Sequence, residues 1–181
     1  MQEQDIQTIS EMAESFVDSG RLDEAAKLYV KLCEMEPEND YSWYMRGVVN
    51  QYLGNLGDAV SAYEKSIQLR PDYAEAYYNL ASIYRVRSQL QRSLQNCRIA
   101  VKHDAKLVGA WVMLGALYWQ MGLYKEGIEY CSKGVALSPD NTEAHIILAR
   151  IYYAMGALLK SEEHLRRVTA IDGSISEPWQ C

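Results

Sequence analysis

The chain has 181 residues with a formal net charge of −6, and 49% of its residues are hydrophobic. This apolar content argues against a disordered polypeptide. The acidic balance argues against a general nucleic-acid binder, because neutralising phosphate groups requires an excess of Lys and Arg.

The chain begins with polar and acidic residues, without the basic stretch and apolar core of a signal peptide. No apolar run is long enough to span a bilayer. We therefore predict a cytoplasmic protein with no membrane partner and no nucleic-acid partner. The cysteines form no C-x-x-C pair, so no metal or other cofactor is predicted, and Cys33, Cys97 and Cys131 are expected to be small buried side chains.

Apolar residues recur every three or four positions along the chain, which predicts helices and no strands. In segment 108–121, for example, the apolar stripe is Trp111, Leu114, Gly115 and Tyr118. The predicted helices are, in chain order, 6–19, 22–36, 40–53, 56–70, 74–87, 90–103, 108–121, 124–137, 142–155 and 158–171.

Four kinds of residue recur at one interval of 34 positions, which indicates an internal repeat. The glycines that end the first helix of each unit are Gly20, Gly54, Gly122 and Gly156, with Ser88 in the empty slot. Prolines, small residues and large rings follow the same interval: Pro37, Pro71 and Pro139; Ala13, Gly47, Ala81, Gly115 and Ala149; Trp43, Tyr77, Trp111, His145 and Trp179. Each unit is thus predicted to be two antiparallel helices joined by a tight turn.

The stretch from Trp111 to Tyr118 reads W-V-M-L-G-A-L-Y and resembles the first part of the tetratricopeptide repeat signature, W-x2-L-G-x2-Y. Ala59, Tyr63 and Pro71 match its later part. The resemblance implies an all-α fold, a right-handed α-solenoid of five helix-turn-helix repeats in a single domain, 6–175. The repeats are expected at 6–39, 40–73, 74–107, 108–141 and 142–175.

Pro178 and Trp179 stand in phase with the repeat, so residues 176–181 are interpreted as the start of a truncated sixth repeat or as a tail. A longer parent protein is one hypothesis, and a short natural tail is the other. If the edge formed by 142–175 lacks a cap, it could pair with a second copy of the chain.

No catalytic residue is predicted. No phosphate-binding loop, nucleophile motif or zinc-protease motif is present. The three histidines lie in different predicted helices, and His145 occupies the ring position of its repeat, where a packed core ring is expected. Sequence neighbours such as Glu163 and His164 do not face each other as a ligand set.

In the family that the chain resembles, the first helices of the repeats line a concave groove that holds a segment of a protein partner. Carried over to this sequence, the resemblance implies a groove of aromatic and Arg side chains with an acidic entrance, Glu11, Glu14 and Asp18. The principal candidates are Tyr44, Val48, Tyr52, Tyr78, Asn79, Ser82, Arg85, Ala116, Trp119, Arg150 and Tyr153, with Gln51, Val86, Val112 and Gln120 beside them. Trp119 is the preferred single candidate, because it is a large ring outside the packing stripe.

Two specialised roles of the family are disfavoured. A carboxylate clamp needs Lys where Tyr44, Tyr78 and Val112 stand. An asparagine ladder is matched only by Asn79.

Arg46 and Asn50 replace apolar residues of the motif in the second repeat. A buried charge has to be paired. We expect Arg46 either to meet an acid of the first repeat, such as Asp23 or Glu24, or to be exposed at a kink.

The function predicted is a non-enzymatic scaffold that binds a peptide segment of a protein partner. Two alternatives stay open: a non-catalytic arm that presents substrate within a larger enzyme or secretion machine, and a self-assembling solenoid. The third repeat is basic, which suits an acidic partner segment or the acidic first repeat of a second copy: its cations are Arg85, Arg87, Arg92, Arg98, Lys102 and Lys106.

Overall fold

A computed structural model describes residues 2–173 of the chain and shows ten α-helices and no strand in that range. The helices are α1 (Gln2–Asp18), α2 (Leu22–Met35), α3 (Asp40–Tyr52), α4 (Leu56–Leu69), α5 (Ala74–Val86), α6 (Leu90–His103), α7 (Val108–Gln120), α8 (Tyr124–Leu137), α9 (Thr142–Ala154) and α10 (Leu158–Asp172). The predicted all-α class is confirmed. None of these helices is long and apolar enough to cross a lipid bilayer.

The predicted helix limits agree with the observed ones to within one residue, except that α1 begins at Gln2 instead of residue 6. No Gly or Pro precedes Ile6 to stop the helix from extending towards the N-terminus. The predicted start of a sixth repeat lies outside the described residues. The division into five repeats within one domain stays a prediction.

The five turns within the helix pairs share one backbone conformation. Gly20, Gly54, Gly122 and Gly156 have φ between 72° and 78°, and Ser88 in the same slot has φ 59°. In each turn, the backbone N–H of the next residue donates to a carbonyl five positions earlier, as from Asn55 to Asn50 (2.9 Å). This is the Schellman closure of a helix, which needs a left-handed residue and therefore favours glycine.

The two helices of a repeat approach each other most closely at the small residues. A Cβ atom added to Gly115 in α7 would lie 2.1 Å from the Cys131 Sγ atom and 3.1 Å from the Gly127 carbonyl oxygen in α8. A Cβ added to Gly47 in α3 would lie 2.6 Å from the Tyr63 ring in α4. The predicted role of small residues as helix-crossing points is thus confirmed at these two positions.

The chain forms two compact units, 1–96 and 97–181. In the first, Ala13, Tyr29, Leu32 and Val49 form one buried cluster, while Tyr63, Leu80 and Ile83 belong to another. In the second, α7, α8 and α9 share a cluster that includes Val112, Cys131 and Ile151. The side chains of Cys33, Cys97 and Cys131 are buried, as predicted.

The large rings at 34-residue spacing make the same hydrogen bond in four repeats. Trp43 donates to the Pro37 carbonyl (2.9 Å), Tyr77 to Pro71 (3.3 Å) and Trp111 to Ala105 (2.8 Å). The His145 Nε2 atom lies 3.0 Å from the Pro139 carbonyl oxygen. Each ring therefore ties the first turn of its helix to the loop before it, and this bond requires a ring with a polar hydrogen, which Phe lacks.

The predicted acidic partners of Arg46 are wrong. Glu24 pairs with Arg21 (2.9 Å). The Arg46 guanidinium instead lies 5.2 Å from the Trp43 ring centroid and beside the Cys33 thiol, and no acidic side chain of residues 4–171 lies within ion-pair distance of it. A half-buried Arg is accommodated here because its cation lies over an aromatic face.

Asn50 is buried, and its amide donates to the Arg46 carbonyl (2.9 Å). This bond stays within α3, so the polar side chain needs no partner from another repeat.

Replacing Ser88 with Gly should stabilise the protein by about 1 kcal/mol, because a non-glycine residue in the left-handed region is strained by roughly that amount. Gly122→Ser is the matched reverse change and should destabilise by a similar amount. Urea unfolding followed by circular dichroism measures both. A loss of stability in Ser88→Gly would contradict the strain.

Replacing Gly115 with Ala should destabilise the protein by about 1–3 kcal/mol, because the new methyl group meets Cys131 and the α8 backbone. The control is Gly57→Ala in α4, where a Cβ meets nothing within 4 Å. That variant should be neutral or slightly more stable. Equal thermal melts for the two variants would show that α7 and α8 are not as close as described.

Candidate functional site

An open groove in the second unit combines residues from α7, α9 and α10. We call it the C-terminal groove; its volume is about 450 Å³, and it is lined by Trp119, Ala149, Arg150, Tyr153, Ala154, Ser161 and Leu165. A smaller groove of about 280 Å³ shares Tyr153, Ser161 and Leu165 and adds Leu158 and Glu162. The two grooves therefore adjoin at these three shared residues.

Helical spacing explains why these side chains meet. Arg150, Tyr153 and Ala154 lie three and four residues apart and share one face of α9. Ser161 and Leu165 are likewise four apart on α10. The buried Ser161 hydroxyl donates to the Ala149 carbonyl (2.9 Å), which fixes α10 against α9 at the base of the groove.

Trp119 and Arg150 form one end of the groove. The Trp119 ring is half-buried and contacts the core cluster of the second unit. The Arg150 guanidinium lies 5.5 Å from the centroid of this ring, and the Arg150 side chain is otherwise exposed. Trp119 and Arg150 therefore form a cation–π pair open to solvent.

Leu165 is exposed although its position in the repeat is a core position. The residues at earlier multiples of 34, Tyr29, Tyr63, Cys97 and Cys131, are all buried. Leu165 is 47% exposed. Tyr63 shares its cluster with Ala76 and Leu80 of the following helix, whereas no helix follows α10 in the range that ends at residue 173.

Of the predicted site residues, Trp119, Arg150 and Tyr153 are brought together in the C-terminal groove. The prediction that Val112 and Ala116 line the groove is wrong. Both are buried in the core cluster with Ile147 and Leu148 of α9, so they are not available to a partner. Small or β-branched side chains at these positions fit between helices.

In the first unit, the Tyr44 ring lies 4.7 Å from that of Tyr73 and 5.8 Å from that of Tyr63 (centroid distances). The Asn79 amide donates to the Tyr44 hydroxyl (3.3 Å). Burial raises the pKa of Tyr44, so this hydroxyl stays neutral and hydrogen-bonded. Tyr44 and Asn79 are thus joined by a contact within the first unit.

The remaining candidates of this unit differ in exposure. Val48, Tyr78 and Ser82 are half-buried, and Tyr52 is 73% exposed. The Arg85 side chain is half-buried, and its Nε–H has no hydrogen-bond partner among the described residues.

Ser161, Leu165 and Leu158 were missed by the sequence reasoning, which expected only first helices of repeats to line a groove. The sequence did contain a signal. Leu165 follows Tyr63 and Cys131 at the 34-residue interval, and those two side chains are covered by the first helix of the following repeat.

A second missed feature is a pair of histidines. The His145 Nδ1 atom lies 2.9 Å from the His164 Nδ1 atom, and the His164 ring stacks on Tyr152 at a centroid distance of 5.6 Å. Because a carbonyl only accepts, His145 Nε2 carries the proton bonded to Pro139, and His145 Nδ1 accepts from His164. Trp111 and Tyr130 hold the equivalent positions one repeat earlier, where the two rings stack at a centroid distance of 6.0 Å.

The environment of the titratable groups favours their neutral forms. Burial, and to a smaller extent His145, lowers the pKa of His164, while the neighbouring Glu163 opposes the shift. Burial raises the pKa of the Cys33 thiol to about 11 and that of Cys131 to about 12, so both stay protonated at neutral pH. Among the described residues, no three His, Cys, Asp or Glu side chains are grouped so that they could hold a metal ion.

Acid should destabilise the last repeat. The folded pKa of His164 is below its unfolded value near 6.5, so the unfolded chain takes up a proton first as the pH falls. The melting temperature should therefore decrease between about pH 7.5 and pH 5. His164→Gln should flatten this pH dependence of the melting temperature, and His103→Gln in α6 is the control. An unchanged pH profile in His164→Gln would contradict the assignment of the acid effect to His164.

No curated protein matches the chain. Solved structures do, at low identity. MamA (residues 41 to the end) from Desulfovibrio magneticus RS-1 has 21% identity and a TM-score of 0.82, and the match covers 95% of this chain and 97% of that one. PilW, described as a widely conserved type IV pilus biogenesis factor, has 18% identity and a TM-score of 0.85, and the match covers 96% of this chain and 80% of that one. YrrB, described as a TPR protein with an unusual peptide-binding site, has 18% identity and a TM-score of 0.72, and the match covers 91% of this chain and 84% of that one.

These likenesses show the fold, an α-solenoid. Sequence profiles of the repeat agree with it: one described as TPR repeat matches 52–86, and two described as tetratricopeptide repeat match 10–51 and 118–179. Together they match well over half of the chain. The chain belongs to the tetratricopeptide repeat family.

Proposed function

We propose that this protein is a non-catalytic interaction scaffold that binds a peptide segment of a partner protein in the C-terminal groove. The observation that carries the proposal is the open groove itself, in which Trp119, Arg150 and Tyr153 meet. Trp, Tyr and Arg contribute most often to the energetic centres of protein interfaces.

The groove has the composition expected of a recognition site. Its walls are mostly apolar, and its polar groups are few and defined: the Arg150 guanidinium, the Tyr153 hydroxyl and the Ser161 hydroxyl. The Ser161 hydroxyl is already engaged with Ala149, so Arg150 and Tyr153 are the groups that can orient a ligand.

The structural neighbours support this role without specifying a ligand. The description of YrrB assigns a peptide-binding site to that protein. The description of PilW assigns it to pilus biogenesis, which suits the alternative of a scaffold arm within a larger assembly machine.

Self-association is a second candidate, favoured by the exposed apolar side chains of the edge formed by 142–175. Leu158 is 61% exposed and Leu159 is 83% exposed. Covering such side chains in a second copy would remove apolar surface from water.

Trp119→Ala should weaken peptide binding by tenfold or more, because the large ring forms one wall of the groove and supports Arg150. Peptides selected from a random library against the intact protein would be titrated by calorimetry. Leu137→Ala, an exposed apolar residue at the end of α8, is the control and should bind as the parent does. Equal affinity of Trp119→Ala and the parent for all selected peptides would refute the proposed site.

A further inference from the structure

Arg150 differs from the other arginines of the last repeat in having no acidic partner. Arg166 pairs with Glu162 (2.8 Å) and Arg167 with Asp140 (2.6 Å). Within residues 4–171, no carboxylate lies within ion-pair distance of Arg150. Among these residues, its positive charge is therefore uncompensated beside a mostly apolar groove.

Arg150 also presents hydrogen-bond donors beside the Trp119 ring. The guanidinium carbon lies 5.5 Å from the centroid of this ring, and no hydrogen bond joins the guanidinium N–H groups to another described residue. Two parallel N–H groups match the two oxygens of a carboxylate. Trp119 thus lies beside a donor pair that no side chain of residues 4–171 uses.

Apolar surface continues directly from this cation. Tyr153, one turn along α9, is 70% exposed, and Leu165 faces it from α10. The adjoining depression extends this surface to Leu158 and ends at Glu162, whose charge is already neutralised by Arg166. Positive charge therefore lies at one end only.

We propose that the C-terminal groove recognises a partner segment in which a carboxylate side chain lies next to one or two bulky apolar side chains. The carboxylate binds the Arg150 guanidinium, and the apolar side chains lie between Tyr153 and Leu165. This inference rests on the proposed peptide-binding function and adds the chemistry of the ligand. A nucleic acid is disfavoured because the groove offers one unpaired cation and the chain is acidic overall.

The test uses the full chain and three short synthetic peptides of one length and sequence, apart from a single position. The first carries Asp followed by Leu and Phe, the second has Asn in place of Asp, and the third has Lys. Titration calorimetry and the change in Trp fluorescence report binding. The Asp peptide should bind about tenfold more tightly than the Asn peptide, and the Lys peptide should bind least.

Arg150→Gln should remove the preference for Asp while leaving the affinity for the Asn peptide within about twofold, because the apolar contacts remain. Arg150→Lys should retain part of the preference, since a point charge replaces the planar donor pair. The preference should also decrease with added salt, whereas binding of the Asn peptide should not.

Equal affinity for the Asp and Asn peptides, or an unchanged preference in Arg150→Gln, would overturn this inference and leave the proposed function standing. So would library-selected peptides that need Trp119 but lack an acidic residue. Two other occupants would also overturn it. If a second copy occupies the groove, light scattering would show a dimer, and the Asp peptide would compete with dimer formation. If the chain's own end occupies it, Trp179→Ala would raise the affinity for the peptide.

Discussion

The close approach of the two helices within a repeat is the contact on which the rest of this structure depends. At Gly115 the helices of the fourth repeat are so near that a single added methyl group would overlap the Cys131 sulfur. Such proximity aligns the apolar stripes of both helices into one surface, and burying that surface stabilises the fold. The left-handed residue between the helices serves the same contact, because the Schellman closure turns the chain back within two residues.

The packing of successive repeats also creates the candidate site. A repeat buries its second helix under the first helix of the next, as Tyr63 is covered by Ala76 and Leu80. Leu165 holds the corresponding place on α10 and is exposed within the described range. The groove is therefore a packing surface of the repeat pattern, to which Trp119 and Arg150 add an aromatic wall and a cation.

The ring position shows how one repeat can be altered without loss of its function in the fold. Trp43, Tyr77 and Trp111 each donate to a loop carbonyl six residues earlier. His145 keeps that bond through Nε2, and its second nitrogen reaches His164. A titratable pair thus replaces the aromatic pair that Trp111 forms with Tyr130.

The sequence by itself determined the period, the helices and the conformation of the turns. Those properties depend on local chemistry: a helical stripe needs apolar residues three and four apart, and a left-handed turn needs Gly or a strained Ser88. Only the tertiary structure decided which side chains stay exposed. Tyr44 and Trp119 were both candidates in the sequence, with Trp119 preferred; neighbouring rings enclose Tyr44, whereas Trp119 lines an open groove. The partner of Arg46, the pairing of His145 with His164 and the exposure of Leu165 all depend on which helix lies opposite, and that contact is set by the stacking of whole helices, not by any one residue's own sequence neighbours.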